Sequence, residues 1–227
     1  MAIDLPARAR VVIVGGGVIG CSVAYHLSKL GWSDIVLLER KQLTSGTTWH
    51  AAGLIGQLRQ SINMTQLARY TAELYRGLEA ETGQATGYRQ CGSISLATTA
   101  GRMEELRRNA SMAKVFGLAV DVVGPSEIGS LYPLVNLDDV IGGIHIASDG
   151  YANAVDITQA LAKGARSRGV QIFQDTKVTS ILHDGRRVGG VQTARGRIDA
   201  DYVVLCAGMW TRDLAASIGV TVPLYAC

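Results

Sequence analysis

The sequence predicts an α/β chain organised on a parallel β-sheet. Three observations lead there. A short β-branched run, VVIV (11–14), enters a glycine-rich turn and then a helix. A second apolar run, DIVLLER (34–40), follows that helix and carries an acid, Glu39, just past its apolar residues. Late in the chain a helix at 156–169 is followed by four short strands separated by turn signals.

The first run has the β-branched character of a parallel strand buried on both faces. It leads into Gly15-Gly16-Gly17-Val18-Ile19-Gly20, a match to GxGxxG. VIGCSVAYHLSKL reads as a helix, with Val18, Cys21, Ala24 and Tyr25 at helical spacing and Gly31 past its end. Gly15 permits a tight strand-to-helix turn. Gly17 lets backbone N–H groups approach a pyrophosphate, and Gly20 lets the helix pack closely. Glu39 stands 19 residues after Gly20, at the end of the second strand. A carboxylate there accepts hydrogen bonds from ribose hydroxyls and disfavours a 2′-phosphate, hence NADP. The context predicts a Rossmann-type dinucleotide-binding unit and leaves FAD and NAD open.

Composition bounds the rest. The 227 residues suffice for one large or two small domains. With 48% hydrophobic residues the chain can bury a core, and the +3 formal charge comes from scattered basic residues, so no nucleic-acid partner is expected. Residues 11–28 lack Asp, Glu, Lys and Arg and approach the length of a bilayer span. Three successive glycines break the run, so a strand, turn and helix are expected and no membrane partner. Cys21, Cys91, Cys206 and Cys227 form no CxxC pair, and the histidines give no zinc pattern. Reduced thiols, a cytoplasmic location and no metal follow as expectations. MAIDLPARAR lacks the apolar core of a signal peptide.

After Glu39 a simple NAD unit would proceed to another crossover. This chain instead runs KQLTSGTTWHAAGLIGQLRQ (41–60), small and hydroxyl-rich. Such a loop can bring Ser45, Thr47 and Thr48 to phosphates and to a flavin ring, with Gly46 and Gly53 allowing close backbone approach. Residues 61–82 read as a helix with Leu67, Tyr70, Leu74 and Leu78 as a core stripe and Gly83 as its stop. CGSISLATT (91–99) reads as a strand, 101–117 as a charged amphipathic helix, SEIGSLYP (126–133) as a short helix ended by Pro133, and 141–147 as a strand. Asp156 and Gln159 form a capping-box pattern for the helix that Gly169 ends. VQIFQ, KVTSILHD, RVGGVQTA and GRIDADYVVLCAG then read as strands, with turns at Asp184-Gly185 and Arg195-Gly196. The chain has no internal repeat and no linker, so its domains are expected to be interleaved.

ERKQLTSGTTWHAAGL (39–54) resembles the flavin-attachment segment of the sarcosine and dimethylglycine dehydrogenases, of the glycine/D-amino-acid oxidase superfamily. The resemblance runs along essentially the whole chain, through CAGMW to VPLYAC, and the LTSGTTWH…GL…QLR form is somewhat closer to sarcosine dehydrogenase. It implies FAD, joined through the ring nitrogen of His50 to the flavin 8α carbon; a neutral imidazole is a competent nucleophile. His26, His145 and His183 have no such motif. The cofactor-binding set implied is Gly15, Gly17, Val18, Ile19, Gly20, Glu39, Arg40, Ser45, Gly46, Thr47, Thr48, Trp49, His50, Ala51, Gly53 and Leu54. From the later strands it adds Val178, Ala207, Gly208 and Trp210.

The resemblance further implies a β-meander beside the parallel sheet and an inserted α+β substrate domain. The expected divisions are 1–90 and 153–215 for the FAD-binding domain, 91–152 and 216–227 for the substrate domain. The family's chains continue past VPLYAC, so this chain is expected to be an N-terminal portion that stops at the start of a strand. The implied reaction is oxidative N-demethylation of a small N-methyl amino acid, sarcosine first. Dimethylglycine or methylaminobutanoate oxidation is the near alternative, and a silent flavin-binding fragment the distant one. The resemblance also implies an electron-transfer flavoprotein as acceptor and tetrahydrofolate in the full-length protein. A carboxylate substrate needs a cationic anchor, and Arg59 is the candidate in this chain.

Overall fold

The structure, a computed structural model, describes residues 4–225. In chain order its elements are β1 (Arg8–Val14), α1 (Val18–Lys29), β2 (Ile35–Leu38), β3 (Leu54–Ile55), α2 (Ile62–Thr82), β4 (Arg89–Gln90) and β5 (Ser93–Ala97). There follow α3 (Ala100–Val115), β6 (Asp121–Val123), α4 (Pro125–Leu131), β7 (Gly142–Ile146), β8 (Gly150–Tyr151) and α5 (Ala154–Arg166). β9 (Gln171–Phe173), β10 (Val178–His183), β11 (Val188–Thr193), β12 (Gly196–Leu205) and α6 (Thr211–Ala216) complete the chain. Short 3₁₀ turns lie at Thr48–His50 and Gly208–Trp210.

These elements form two compact units. The first comprises the described part of Met1–Ala52, Leu78–Thr86 and Asn153–Cys227; the second comprises Gly53–Gly77 and Gly87–Ala152. The expected division at residue 90 is therefore not where the contacts divide: residues 53–77 and 87–90 belong to the second unit. β3 and β4 both hydrogen-bond to β8, which fixes all three in one sheet.

The first unit is α/β with a six-stranded sheet in the order β10-β11-β12-β1-β2-β9. β12, β1, β2 and β9 run parallel, with Val14 opposite both Leu205 and Leu38. β10, β11 and β12 form an antiparallel meander on one side. β2 and the second half of β1 read as unbroken apolar runs because both faces are covered: every residue of β2 is buried, as are Val11–Val14 of β1. Val12, Val36, Val191 and Ile198 meet in one core cluster. α1 and α5 meet where Gly164 leaves room for the Tyr25 ring; a Cβ on Gly164 would lie 2.9 Å from it.

α5 corrects the capping expectation. Its N-cap is Asn153, whose side chain accepts from the N–H groups of Val155 (2.9 Å) and Asp156 (3.2 Å). An Asx side chain satisfies the orphan donors of the first turn, so the helix starts before Asp156. That carboxylate then sits in the first turn, at the favourable end of the helix dipole.

The second unit has two three-stranded antiparallel sheets, β3-β8-β4 and β5-β7-β6. α3 begins at an N-cap from Thr99, which accepts from Arg102 N–H, and buries Met103, Leu106, Ala110 and Ala113. α4 starts with Pro125 in its first turn and ends at Leu131, before the proline expected to stop it. The stripe expected on α2 is only partly buried. Leu78 is inaccessible and Ala72 nearly so, but Leu67 and Tyr70 are about half exposed. Thr65, fully buried, sets the covered side in the second unit, and Leu67 lies two residues on, nearly opposite. Gly83, with φ +63°, ends α2 as expected.

No strand forms between residues 217 and 225, where one was expected to begin; α6 and a coil occupy the end of the described chain. Ala226 and Cys227 of VPLYAC lie outside the described residues.

Candidate functional site

The site grows from the turn after β1. Gly15 has φ +115°, and a Cβ there would overlap the Cys206 carbonyl. Its N–H donates to Leu38 O at 2.8 Å, and Cys206 N–H donates to Val14 O at 2.8 Å. The backbone is thus squeezed between two neighbouring strands, which only glycine tolerates. A Cβ on Gly20 would overlap the Gly15 carbonyl, so this glycine sets how near α1 lies to the turn. α1 has no side-chain cap of its own at Gly17. Instead the hydroxyl of Thr48 accepts from Val18 N–H at 3.0 Å. The helix N-terminus with its partial positive charge opens where Gly17, Val18 and Ile19 line a cavity.

Glu39 closes the other side. It is 8% exposed and leaves β2 with its carboxylate tied twice: Oε2 accepts from Gly16 N–H at 2.7 Å, Oε1 from Lys41 N–H at 2.9 Å. Each oxygen keeps a further lone pair for an incoming hydroxyl. The acid both cements the glycine turn and faces the cavity.

That cavity measures about 630 Å³. Its apolar lining comes from Val14, Leu38, Val178 and Leu205, at the ends of β1, β2, β10 and β12. Arg40 lies over the Trp210 ring, 3.9 Å from its centroid, and both line the cavity. Gly46, Thr47 and Thr48 reach it from the hydroxyl-rich loop, and Ala207 and Gly208 from the end of β12. These stand with Gly15, Gly17, Val18, Ile19, Glu39 and Val178 as the expected residues the fold does bring together.

The remaining expected residues stand elsewhere. Gly20 supports the turn from behind. Ser45, Trp49, His50 and Ala51 are exposed and do not line the cavity. His50 ends the 3₁₀ turn, its N–H bonded to Thr47 O, with its ring against Trp49 at 3.8 Å between centroids. It is therefore two residues past Thr48, a lining residue. Gly53 and Leu54 belong to the second unit. Gly53 has φ +76° and a Cβ there would overlap the Ala152 carbonyl, which explains this glycine by β3–β8 pairing; Leu54 is 79% exposed. Arg59 also lies in the second unit.

Several lining residues escaped the sequence reading: Thr176, Lys177 and Thr179 around Val178, Cys206, and Asp213, Leu214 and Ser217 from α6 and its end. The six residues of α6 are too few to show periodicity, so no sequence signal pointed there. Burial pushes the Cys206 thiol up and pushes Cys21 up to about 12, which leaves both protonated and chemically quiet. Among the described residues no group of three or more His, Cys, Asp and Glu side chains could hold a metal ion. No described helix is long and apolar enough to cross a membrane.

The residues fit a bound dinucleotide with a flavin. The N-terminus of α1, where Thr48 takes the Val18 N–H, stands beside a turn too tight for any side chain, and a tethered carboxylate lines the same cavity.

Comparison with known proteins bears on the same point. The family model described as FAD dependent oxidoreductase matches residues 10–227. The chain is 43% identical to the mouse pyruvate dehydrogenase phosphatase regulatory subunit, mitochondrial, over 100% of this chain and 26% of that one. It is 44% identical to 4-methylaminobutanoate oxidase (formaldehyde-forming) of Paenarthrobacter nicotinovorans, over 98% and 27%. It is 43% identical to human mitochondrial sarcosine dehydrogenase, over 98% and 25%. The chain thus spans about a quarter of the length of these relatives. Among solved structures, L-proline dehydrogenase from P. horikoshii superposes with a TM-score of 0.91 at 25% identity, covering 97% of this chain and 58% of that one.

Proposed function

Because the chain belongs to the FAD dependent oxidoreductase family, we propose that it is the FAD-holding part of an enzyme that oxidatively demethylates a small N-methyl amino acid, sarcosine first. The observation that carries this reading is the cavity in which Gly15, Gly17 and Glu39 converge with Thr47 and Thr48 of the TSGTTWHAAG loop. The sarcosine dehydrogenase and 4-methylaminobutanoate oxidase relatives support the substrate class. Dimethylglycine and methylaminobutanoate are the neighbouring substrates on this reading.

Glu39 holds the adenosine ribose, and the α1 N-terminus holds the pyrophosphate. Val178 meets the adenine, while Ala207, Gly208 and Trp210 border the ring system. FAD supplies the hydride-accepting chemistry when bound. The reacting amine must be neutral, since a protonated nitrogen cannot stabilise a forming iminium. His50 provides the covalent tether: its imidazole is exposed, and it stands two residues past the cavity-lining Thr48. Arg59, in the second unit, is proposed as the anchor for the substrate carboxylate, and that unit as part of the substrate domain. An electron-transfer flavoprotein is the proposed acceptor, and tetrahydrofolate the acceptor of the one-carbon unit in a longer protein. The cytoplasm is the proposed compartment, on the sequence reading alone.

The test is flavin retention after acid precipitation, read as fluorescence of the protein band on a denaturing gel. Fluorescence present in the wild type and lost in His50→Ala supports the tether; flavin released freely from the wild type removes it. Bleaching of the bound flavin by sarcosine supports catalysis. A silent flavin-binding module is the second reading, favoured by the 43% identity to a regulatory subunit; bound flavin that no N-methyl amino acid bleaches would establish it.

A further inference from the structure

The second unit buries a carboxylate that the sequence reading left without a role. Asp149 is 3% exposed and belongs to none of the ion pairs among the described residues. Its Oδ1 accepts from the main-chain N–H of Gln57 at 2.9 Å and from Gln57 Nε2 at 3.3 Å, and its Oδ2 accepts from Ser93 Oγ at 2.7 Å. Gln57, itself 5% exposed, also donates from Nε2 to Ser148 Oγ at 2.8 Å. A buried carboxylate is costly unless its hydrogen bonds are made, and here one oxygen is satisfied twice by Gln57 and the other by Ser93.

The stretch 56–59 is gripped from its other end. Thr65, wholly buried, takes the N–H of Arg59 on its hydroxyl oxygen at 3.0 Å and returns a bond to the Arg59 carbonyl at 3.3 Å. The Arg59 backbone is thereby held at both its polar groups, while the guanidinium stays exposed and its Nη1 donates only to the adjacent Leu58 carbonyl among the described residues. A Cβ placed on Gly56 would lie 3.5 Å from Arg59 Nη1 and 3.7 Å from Asp149 Oδ2, so the two opposite charges flank a single glycine.

We propose that Asp149 is the positioning residue for Arg59: through Gln57 and across Gly56 it fixes the loop and the guanidinium in the pose that receives the carboxylate of an amino-acid substrate. This rests on the reading of Arg59 as the substrate anchor. An anchor on a loop loses affinity to its own side-chain freedom. A buried negative charge behind it restricts that freedom and leaves the outward N–H groups for the ligand. No chemistry passes through Asp149, so its signature is in substrate binding and not in turnover.

The experiment is a double-mutant cycle on the flavin-loaded full chain with Arg59→Ala, Asp149→Asn and the pair. KM and kcat for sarcosine are read beside the Kd of methoxyacetate, an unreactive ether with the same carboxylate, from flavin absorbance. Asp149→Asn is expected to raise KM and Kd about tenfold, the worth of one charge-assisted contact, with kcat within about twofold. In the Arg59→Ala background it is expected to add nothing. Effects that multiply, or an Asp149→Asn protein that binds normally while Arg59→Ala does not, would overturn the proposal and leave the anchor standing. Unchanged KM and Kd in Arg59→Ala would overturn the anchor itself and the proposal with it. Should Asp149→Asn fail to fold, Ser93→Ala decides. A rise of about two- to threefold that vanishes without Arg59 supports positioning, and no rise refutes it.

Discussion

The two units are built from the same residue types to opposite plans. In the first, four parallel strands lie side by side, and the stretches Val11–Val14 and Ile35–Leu38 are apolar throughout because both faces are covered. In the second, strands of two to five residues pair antiparallel, and large side chains such as Leu54, Val122 and Leu134 stay half or more exposed. A parallel sheet concentrates its strand ends at one edge, so the cavity there is lined from the ends of β1, β2 and β12 at once, with Val178 joining from the meander. The second unit instead holds its polar centre, Asp149, by hydrogen bonds between loops.

The contrast can be broken first at its tightest point. Gly15→Ala is expected to cost about 3 kcal/mol, because a Cβ at φ +115° meets the Cys206 carbonyl with no room to shift. A lowered melting temperature together with lost flavin would show it; a variant that melts normally and keeps flavin would mean that the turn relaxes. Leu106→Ala, in the core of the second unit at 1% exposure, is expected to cost a similar 2–5 kcal/mol or so. The comparison is sharpened by its readout: retained flavin affinity with altered proteolysis of residues 87–152 indicates units that fail separately, and joint loss indicates one cooperative fold.

Smaller effects test finer points. Asn153→Ala is expected to cost about 1 kcal/mol by denaturant titration, and Asp156→Ala a few tenths, the reverse of what a capping box at Asp156 requires. An effect of the same small size is expected at Glu81, in the first unit. Burial pushes its carboxyl up, but hydrogen bonds from Arg168 and Tyr25 and the charges of Lys29 and Arg168 outweigh that and hold it below the usual value. A depressed folded-state pKa adds stability above the unfolded carboxylate value and loses it as pH falls through the folded one. Wild type is therefore expected to exceed Glu81→Gln by about 0.5 kcal/mol near neutrality, since a third of the side chain is exposed, with the gap closing under acid. A gap that persists at low pH would assign the effect to packing.

Particular residues show what was legible and why. VVIV, the glycine turn and Glu39 stand within 30 residues, and strand, turn and helix there obey local rules, so sequence by itself determined the α/β class and the dinucleotide unit. The four strands after α5 were legible for the same reason, each bounded by its own turn residues. β3, β4 and β8 were not: two residues carry no period, and they become strands only because Leu54 and Arg89 both find Tyr151. Asp156 looked like a cap because the pattern is local, yet Asn153 caps the N–H groups of Val155 and Asp156, and the helix begins three residues earlier than that pattern implies. Thr48 capping α1 from 30 residues away, α6 lining the cavity, and Asp149 reaching Gln57 across 92 residues had no signal in the chain at all. Only tertiary structure decided them, because a hydrogen bond between distant loops depends on where the backbone has already been placed, and no nearby residue encodes that placement.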